Sequence, residues 1–366
     1  MKIAFYAPLK SPNHSKPSGD RLLAQLFIKA LTLAGHSVEL SSELRSFDRS
    51  GNPLKQKEIM HNSEIEAQRI LQKVDNSNRP EVWFTYHSYH KAPDWIGPTV
   101  CKQLEIPYVI AEASISPKQA TGQWKDGYHQ SINSVAYASG IININKRDNE
   151  CLQPFLSDSA HTLKIQPFLD TDEFPSPAVS VVSAGALKLC AIAMMRAGDK
   201  YSSWAELAEI LGMVKNNKWS LTIIGDGVKR TEIQQLFKCF GSNVSFRGEL
   251  GRTDIIKELA RQELLIWPGI NEAFGMVYLE AHAAGRATLA GRYGGVEQVV
   301  QHGRNGLLYN RGNTAQASQM IDYAIGNRNA ITALSSNAEI ICRNEHTILS
   351  ASRKINDLLS TVCGKL

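Results

Sequence analysis

Short apolar runs alternate with helix-length amphipathic segments along this chain, and that alternation leaves few folds open. Ile3–Ala7 is one such run, closed by Pro8, and it has the length and composition of a buried parallel strand. Leu22, Leu23, Leu26, Phe27, Ala30, Leu31 and Ala34 then recur at helical spacing, with Asp20 placed to cap the helix and Gly35 to stop it. Ser37–Leu40 reads as the next strand. Val82–Tyr86, Tyr108–Ala111 and Ile141–Ile144 continue the rhythm, with helix-length stretches between them. Strands that alternate with helices predict an α/β fold with parallel sheet covered on both faces.

The rhythm breaks around Pro167–Pro177 and then resumes. Leu189–Met194, Leu221–Ile224, Val244–Arg247 and Leu264–Trp267 read as strands. Trp204–Met213, Glu232–Phe240 and Ile255–Arg261 read as the helices between them. A chain of 366 residues is long for one core and comfortable for two. The expected division is a Rossmann-like domain over 1–168, a linker over 169–187 and a second Rossmann-like domain over 188–345. A last helix over 346–366, with Ile355, Leu358 and Leu359 on one face, is free to cross back to the first domain. Two doubly wound parallel sheets would face each other across a cleft at the carboxyl ends of their strands, where such sheets bind ligands.

Composition narrows the class. With 43% hydrophobic and 20% charged residues the chain is neither disordered nor fibrous. The net charge of +5 comes from basic residues interspersed with acids, so no nucleic-acid arm is expected. The excess permits contact with phosphates or with an anionic membrane face. No apolar run is long enough to span a bilayer. The first apolar stretch is also too short for a signal peptide. Six cysteines lie far apart with no C-x-x-C pair, which suits a reducing compartment. The expected location is the cytoplasm, with room for peripheral contact at the inner membrane face.

The most informative segment runs from Trp267 to Gly285. A strand ends at Trp267, a Pro/Gly/Asn loop follows, and a helix opens near Gly275. Free N–H groups at such a helix start attract an anion, most simply a diphosphate. Glu272 precedes the helix and Glu280 lies inside it. That spacing serves polyol hydroxyls from two directions, and it serves equally a capping carboxylate and a solvated surface residue. Arg196 and Lys200 follow another strand end, a fork and a mobile point charge suited to a diphosphate. Gly225-Asp226-Gly227 hints at a dinucleotide turn but leaves G-x-G-x-x-G incomplete, and no P-loop occurs. In the first half, Gly19 opens a helix and can admit phosphates close to the backbone. His87 and His90 form H-x-x-H without further ligands at suitable spacing, so no metal site is expected.

The segment from Glu272 through Phe274-Gly275 to Glu280-Ala281 resembles the donor-site signature of retaining glycosyltransferases of family 4, which have the GT-B fold. The resemblance continues through Gly294-Gly295-Val296-Glu297 and Gly303-Arg304-Asn305-Gly306-Leu307-Leu308, and runs more weakly over nearly the whole chain. It implies transfer of a sugar from a UDP- or GDP-sugar to a hydroxyl on a glycan, a lipid or a small metabolite. Retention would proceed by front-face attack, with no cofactor and no essential metal. It implies that the first domain binds the acceptor and the second the donor. Glu272 would face the donor sugar, with His87 near the reacting centre. Gly19, Arg196, Lys200, Phe274, Gly275 and Met276 would surround the phosphates. Glu280 would take the ribose, with Gly225, Arg247, Gly248 and Leu250 around the nucleoside. Glu112 and His90 are the acceptor-side candidates.

Two departures stand out. Ser18 replaces a glycine, and Gly285-Arg286-Ala287-Thr288-Leu289-Ala290 replaces the usual Leu-Pro-Val-Val, so the strand there is expected to be shifted or the site tuned. Three other readings remain: a non-catalytic nucleotide-sugar-binding subunit, a nucleotide-sugar epimerase of the same fold, and a dehydrogenase, which the incomplete glycine fingerprint disfavours.

Overall fold

The computed structural model describes residues 1–175 and 185–364, without the side chains of Lys146 and Arg147. The chain divides into two compact units, Met1–Gln166 with Ile348–Leu366, and Pro167–Thr347. Among the described residues no helix is long and apolar enough to cross a membrane.

The first unit alternates strand and helix: β1 (Lys2–Tyr6), α1 (Gly19–Leu33), β2 (Ser37–Ser42), α2 (Pro53–Lys73), β3 (Val82–Tyr86), α3 (Gly97–Leu104), β4 (Tyr108–Ala111), α4 (Lys125–Tyr137), β5 (Gly140–Asn143), α5 (Lys146–Leu152) and β6 (His161–Lys164). All its strand pairs are parallel, in the order β2-β1-β3-β4-β5-β6. The order reverses between β1 and β3, which makes that gap the switch point of the sheet. β3, β4 and β5 are buried along their whole length, as strands covered on both faces must be.

The apolar stripe of α1 fixes its docking. Leu23, Leu26, Phe27, Ala30 and Leu31 are buried, and the Phe27 ring lies 5.6 Å from Phe84 and 5.3 Å from Tyr86. Burying one such ring contributes about 2–3 kcal/mol. The cap of α1 differs from expectation. Ser18 is the capping residue, its hydroxyl accepting from Arg21 N–H at 3.2 Å. Asp20 lies inside the first turn, which frees its carboxylate for another partner. Gly35 (φ +84°) ends the helix with its N–H on Thr32 O at 2.9 Å.

The second unit opens on a 3-10 turn, Thr171–Glu173, inside the expected linker. Arg343 donates to the carbonyls of Thr171 and Phe174, so this stretch packs as part of the unit. Residues 176–184 of the expected linker lie outside the described residues. The unit continues with β7 (Leu187–Ile192), α6 (Asp199–Gly212), β8 (Trp219–Ile224), α7 (Arg230–Leu236), β9 (Val244–Gly248), α8 (Arg252–Arg261), β10 (Leu264–Trp267), α9 (Met276–Ala283), β11 (Ala287–Gly291), β12 (Gly306–Tyr309), α10 (Thr314–Gly326) and α11 (Arg328–Glu345). Its sheet is again wholly parallel, ordered β12-β11-β10-β7-β8-β9, with the reversal between β7 and β10. The helix expected over 232–240 ends at Leu236. A 3-10 segment, Lys238–Asn243, replaces its end, where Gly241 (φ +55°) leaves helical geometry.

Helix α12 (Ile348–Val362) returns to the first unit. Ile355, Leu358 and Leu359 form its buried face, and Ser352 donates to Ala30 O in α1 at 2.7 Å.

Arg286 corrects one expectation. β11 pairs with β10 in unbroken register, Leu264 opposite Ala287 and Trp267 opposite Ala290. The strand is not shifted. Arg286 is buried and donates to Leu259 O at 3.1 Å and to Ala260 O at 2.7 Å. It therefore supplies donors to the last carbonyls of α8, which a helix end buried in protein requires.

Candidate active site

Both groups of site residues fall at the switch points of their own sheets. In the second unit the loops that follow β7 and β10 carry Arg196 and Glu272, and Lys200 stands in the first turn of α6. Lys200 Nζ donates to Glu272 Oε1, and each side chain is 19% exposed. Trp267 Nε1 donates to the same oxygen at 3.2 Å, and Lys200 Nζ stands 5.5 Å from the Trp267 ring centroid. The indole thus orients the carboxylate and also faces the cation. Asn271 (φ +55°) ties the loop across to Asp199 at 3.0 Å, and Ile270 N–H donates to Ser203 Oγ at 3.0 Å. Arg196 is exposed and makes no hydrogen bond or ion pair among the described residues.

Close backbone approach holds this loop in place. The Tyr278 hydroxyl donates to Trp267 O at 3.0 Å beneath it. A Cβ on Gly275 (φ +77°) would meet the Tyr278 ring at 2.5 Å. Gly294 (φ +53°) wraps the other side, where a Cβ would lie 2.0 Å from Glu272 O. Only glycine fits such positions. No side chain among the described residues caps α9 after Gly275, so its first N–H groups keep their positive end for a ligand. Phe274 and Met276 flank that helix start and are buried.

Glu280 sits inside α9, 13% exposed, and Arg252 Nη1 donates to its Oε1 at 2.7 Å. Burial pushes the Glu280 carboxyl up, and Arg252 opposes that rise. Arg252 opens α8, also donates to Glu173, and lies 5.4 Å from the Phe174 ring centroid. Its Nη2 is buried without a partner among the described residues. Sequence reading missed Arg252, which lies just after Leu250 on a helix with no motif of its own. Gly225 N–H donates to Gly248 O at 2.8 Å, joining the ends of β8 and β9. A Cβ on Gly225 (φ +140°) would fall 2.0 Å from Ala193 O, so this turn lies against the loop that leads to Arg196. Leu250 is half-buried, and Arg247 is exposed on β9.

In the first unit, Asp20 at the start of α1 meets His87 after β3, with Nδ1 and Oδ1 3.1 Å apart. Burial draws the His87 imidazole down, but Asp20 and Glu112 outweigh it and hold the ring above its ordinary value. Glu112 follows β4. Burial pushes its carboxyl up to about 7, against the Ile144 N–H that donates to it. Both residues are in the left-handed region, His87 at φ +60° and Glu112 at φ +58°. Gly19 is exposed, with nothing within 4 Å of a Cβ built on it. His90 is half-buried against Trp124, ring centroids 5.9 Å apart, and burial lowers it to about 4. Asp94 steadies this loop. It is fully buried and accepts from Thr85 Oγ1 (2.6 Å), Tyr108 OH (2.8 Å), Gly97 N–H (2.8 Å) and Ile96 N–H (2.9 Å).

Among the described residues no three His, Cys, Asp or Glu side chains gather as metal ligands.

Comparison with known proteins matches residues 195–340 to the glycosyl transferases group 1 family. A 108-residue segment is 37% identical to the N-acetyl-alpha-D-glucosaminyl L-malate synthase of Bacillus anthracis, covering 28% of this chain and 28% of that protein. The aligned segment is thus just over a quarter of that relative. Over whole chains, the crystal structure of Anabaena HepE in complex with UDP and glucose matches with a TM-score of 0.72. It covers 99% of this chain and all of that one at 18% identity. Sucrose-phosphate synthase from Thermosynechococcus elongatus matches with a TM-score of 0.74 at 15% identity, over the full length of both chains. Two doubly wound units with these neighbours define the GT-B fold, and residues 195–340 are similar to the glycosyl transferases group 1 family.

Proposed function

We propose that this chain is a retaining glycosyltransferase that moves a sugar from a UDP- or GDP-sugar to an acceptor hydroxyl. The observation that carries the reading is the Lys200–Glu272 pair on Trp267, set at the β7/β10 switch point beside an uncapped helix start. The pair is an ion pair waiting for two partners of opposite character. A diphosphate draws Lys200, joined by Arg196 and the N–H groups around Phe274, Gly275 and Met276. The donor's sugar hydroxyls take the Glu272 carboxylate, which Trp267 keeps oriented.

Charge grows on the leaving nucleoside diphosphate as the glycosidic bond breaks, and fixed cations stabilise it where it develops. Glu280 accepts from the ribose hydroxyls, and Arg252 opposes the rise that burial imposes on its carboxyl. Gly225, Arg247, Gly248 and Leu250 line the nucleoside. His87, oriented by Asp20, belongs beside the reacting centre, with Glu112 and His90 on the acceptor side. The leaving phosphate takes the acceptor proton. The group 1 domain supports this reading, as does the UDP held by the Anabaena neighbour.

A melting screen with UDP- and GDP-sugars tests it. A donor at 100 times its Kd stabilises by about 2.7 kcal/mol, about 3–4 °C for a chain of this size. Lys200→Met is expected to lower transfer by at least about 100-fold, the scale of losing one preorganised charge. No stabilisation by any nucleotide-sugar, or an unchanged rate in Lys200→Met, refutes the assignment.

A further inference from the structure

Beyond His87 the first unit carries a feature that sugar transfer alone does not require. His87, Tyr89, His90 and Trp124 form a run of ring contacts, with centroids 5.4, 5.2 and 5.9 Å apart in turn. Cations border it. Lys91 Nζ stands 4.3 Å from the Trp124 centroid. Arg45 donates to Leu9 O at 2.9 Å and lies 4.7 Å from the Phe47 ring, and its charge reaches Tyr89. Lys118 is exposed and, with Lys91, bears on the half-buried His90. None of these three cations is ion-paired with a carboxylate among the described residues.

These cations are mounted rather than loose. Ser46 N–H donates to Pro8 O at 3.0 Å and Asp48 N–H to Lys91 O at 2.8 Å. Trp124 Nε1 donates to Asp48 O at 3.1 Å. The loops after β1, β2, β3 and β4 are thereby knitted into one rim. Two acids of that rim point inward. Asp48 is buried and accepts from Ser50, Asn52 and Gln56, and Asp94 is the buried hub of the β3–α3 loop. Glu43 remains exposed, accepting from Ser11 and Asn13. With two acids turned inward and Glu43 the exposed one, the three cations leave a mainly positive rim around these edge-to-face rings.

We propose that the acceptor is a soluble sugar or polyol bearing a phosphate or carboxylate, its apolar face against one ring of the edge-to-face Tyr89–His90–Trp124 run and its anion held by Arg45, Lys91 and Lys118. The assignment rests on the transferase reading above and adds the chemical class of the acceptor. Aromatic faces take the apolar side of a sugar ring, and Arg with Lys supplies a fork and a point charge for the anion. Asp20 repels the anion from His87, so the hydroxyl end of the acceptor turns toward the reacting centre.

Titration calorimetry on the full chain, with glucose 6-phosphate and glucuronate against glucose, tests the proposal. The expected result is at least tenfold tighter binding of a charged sugar, a preference that weakens as salt screens the rim and disappears in Arg45→Gln/Lys91→Gln. Equal binding of glucose overturns it, as does no binding of either charged sugar, or a preference that survives the double substitution. Retention on phosphatidylglycerol vesicles without binding of the soluble anions overturns it in favour of a membrane headgroup. Nucleotide stabilisation is read separately. If it persists without charge preference, only the acceptor assignment falls; a charge preference without nucleotide binding sinks the transferase reading instead.

Discussion

Glu112 offers a quantitative check on the first unit. Its carboxyl rises from 4.5 to about 7 because burial opposes the charge, so the fold prefers the protonated form. The stability linked to this group is fully present below the unfolded value and is lost as pH climbs through the folded one. Linkage across those two values gives roughly 2–3 kcal/mol at about pH 5 and almost nothing at about pH 8. Glu112→Gln fixes the side chain in a neutral form and keeps a carbonyl oxygen for the Ile144 N–H. The wild-type chain should therefore lose roughly 2–3 kcal/mol relative to Glu112→Gln between those pH values. Urea titrations of both proteins at four pH values from about 5 to about 8 measure the difference. A difference that does not change with pH would show that solvent reaches Glu112 freely, and the argument from burial would fail.

Two substitutions test how the second unit holds its loops. Gly294→Ala places a Cβ against Glu272 O on a residue at φ +53°, with an expected cost of about 2–4 kcal/mol; a melting temperature unchanged from wild type would contradict the close approach. Arg286→Met takes the Arg286 donor from the Ala260 carbonyl and leaves Leu259 O with the Gln262 N–H alone, at about 1–3 kcal/mol. Faster amide exchange along α8 should accompany that loss, and unaltered exchange would deny Arg286 its role there.

The alternation of apolar runs was enough to foresee two parallel sheets, because strands buried on both faces announce themselves in composition alone. Helix ends were less legible. Ser18 and Asp20 are both capping types two residues apart, and only the backbone decides which of them accepts the N–H. The loop from Trp267 to Gly275 was readable because its glycines are forced by Tyr278 and by the neighbouring strand ends. Arg252 was not, since an arginine opening a short helix looks solvated until folding brings Glu280 and Glu173 to it. Arg286 misled for a related reason. A charged residue before a strand suggests a disturbed strand, whereas its donors run to a helix end 26 and 27 residues earlier in the chain. The pairing of His87 with Asp20 spans 67 residues, and no local spacing encodes it.

Among the described residues, four other than glycine have left-handed backbone: His87, Glu105, Glu112 and Asn271. Glu105 ends α3, a customary place for that conformation. The other three follow β3, β4 and β10 at the switch-point ends of their sheets. Each such residue is disfavoured by about 1–2 kcal/mol relative to one in the right-handed region, and glycine escapes that penalty. A laboratory selection that scored only survival on heating would accordingly enrich glycine at positions 87, 112 and 271. Its winners would be hardier proteins stripped of the imidazole, the carboxyl and the amide now mounted there, so heat tolerance and sugar transfer would have to be selected together.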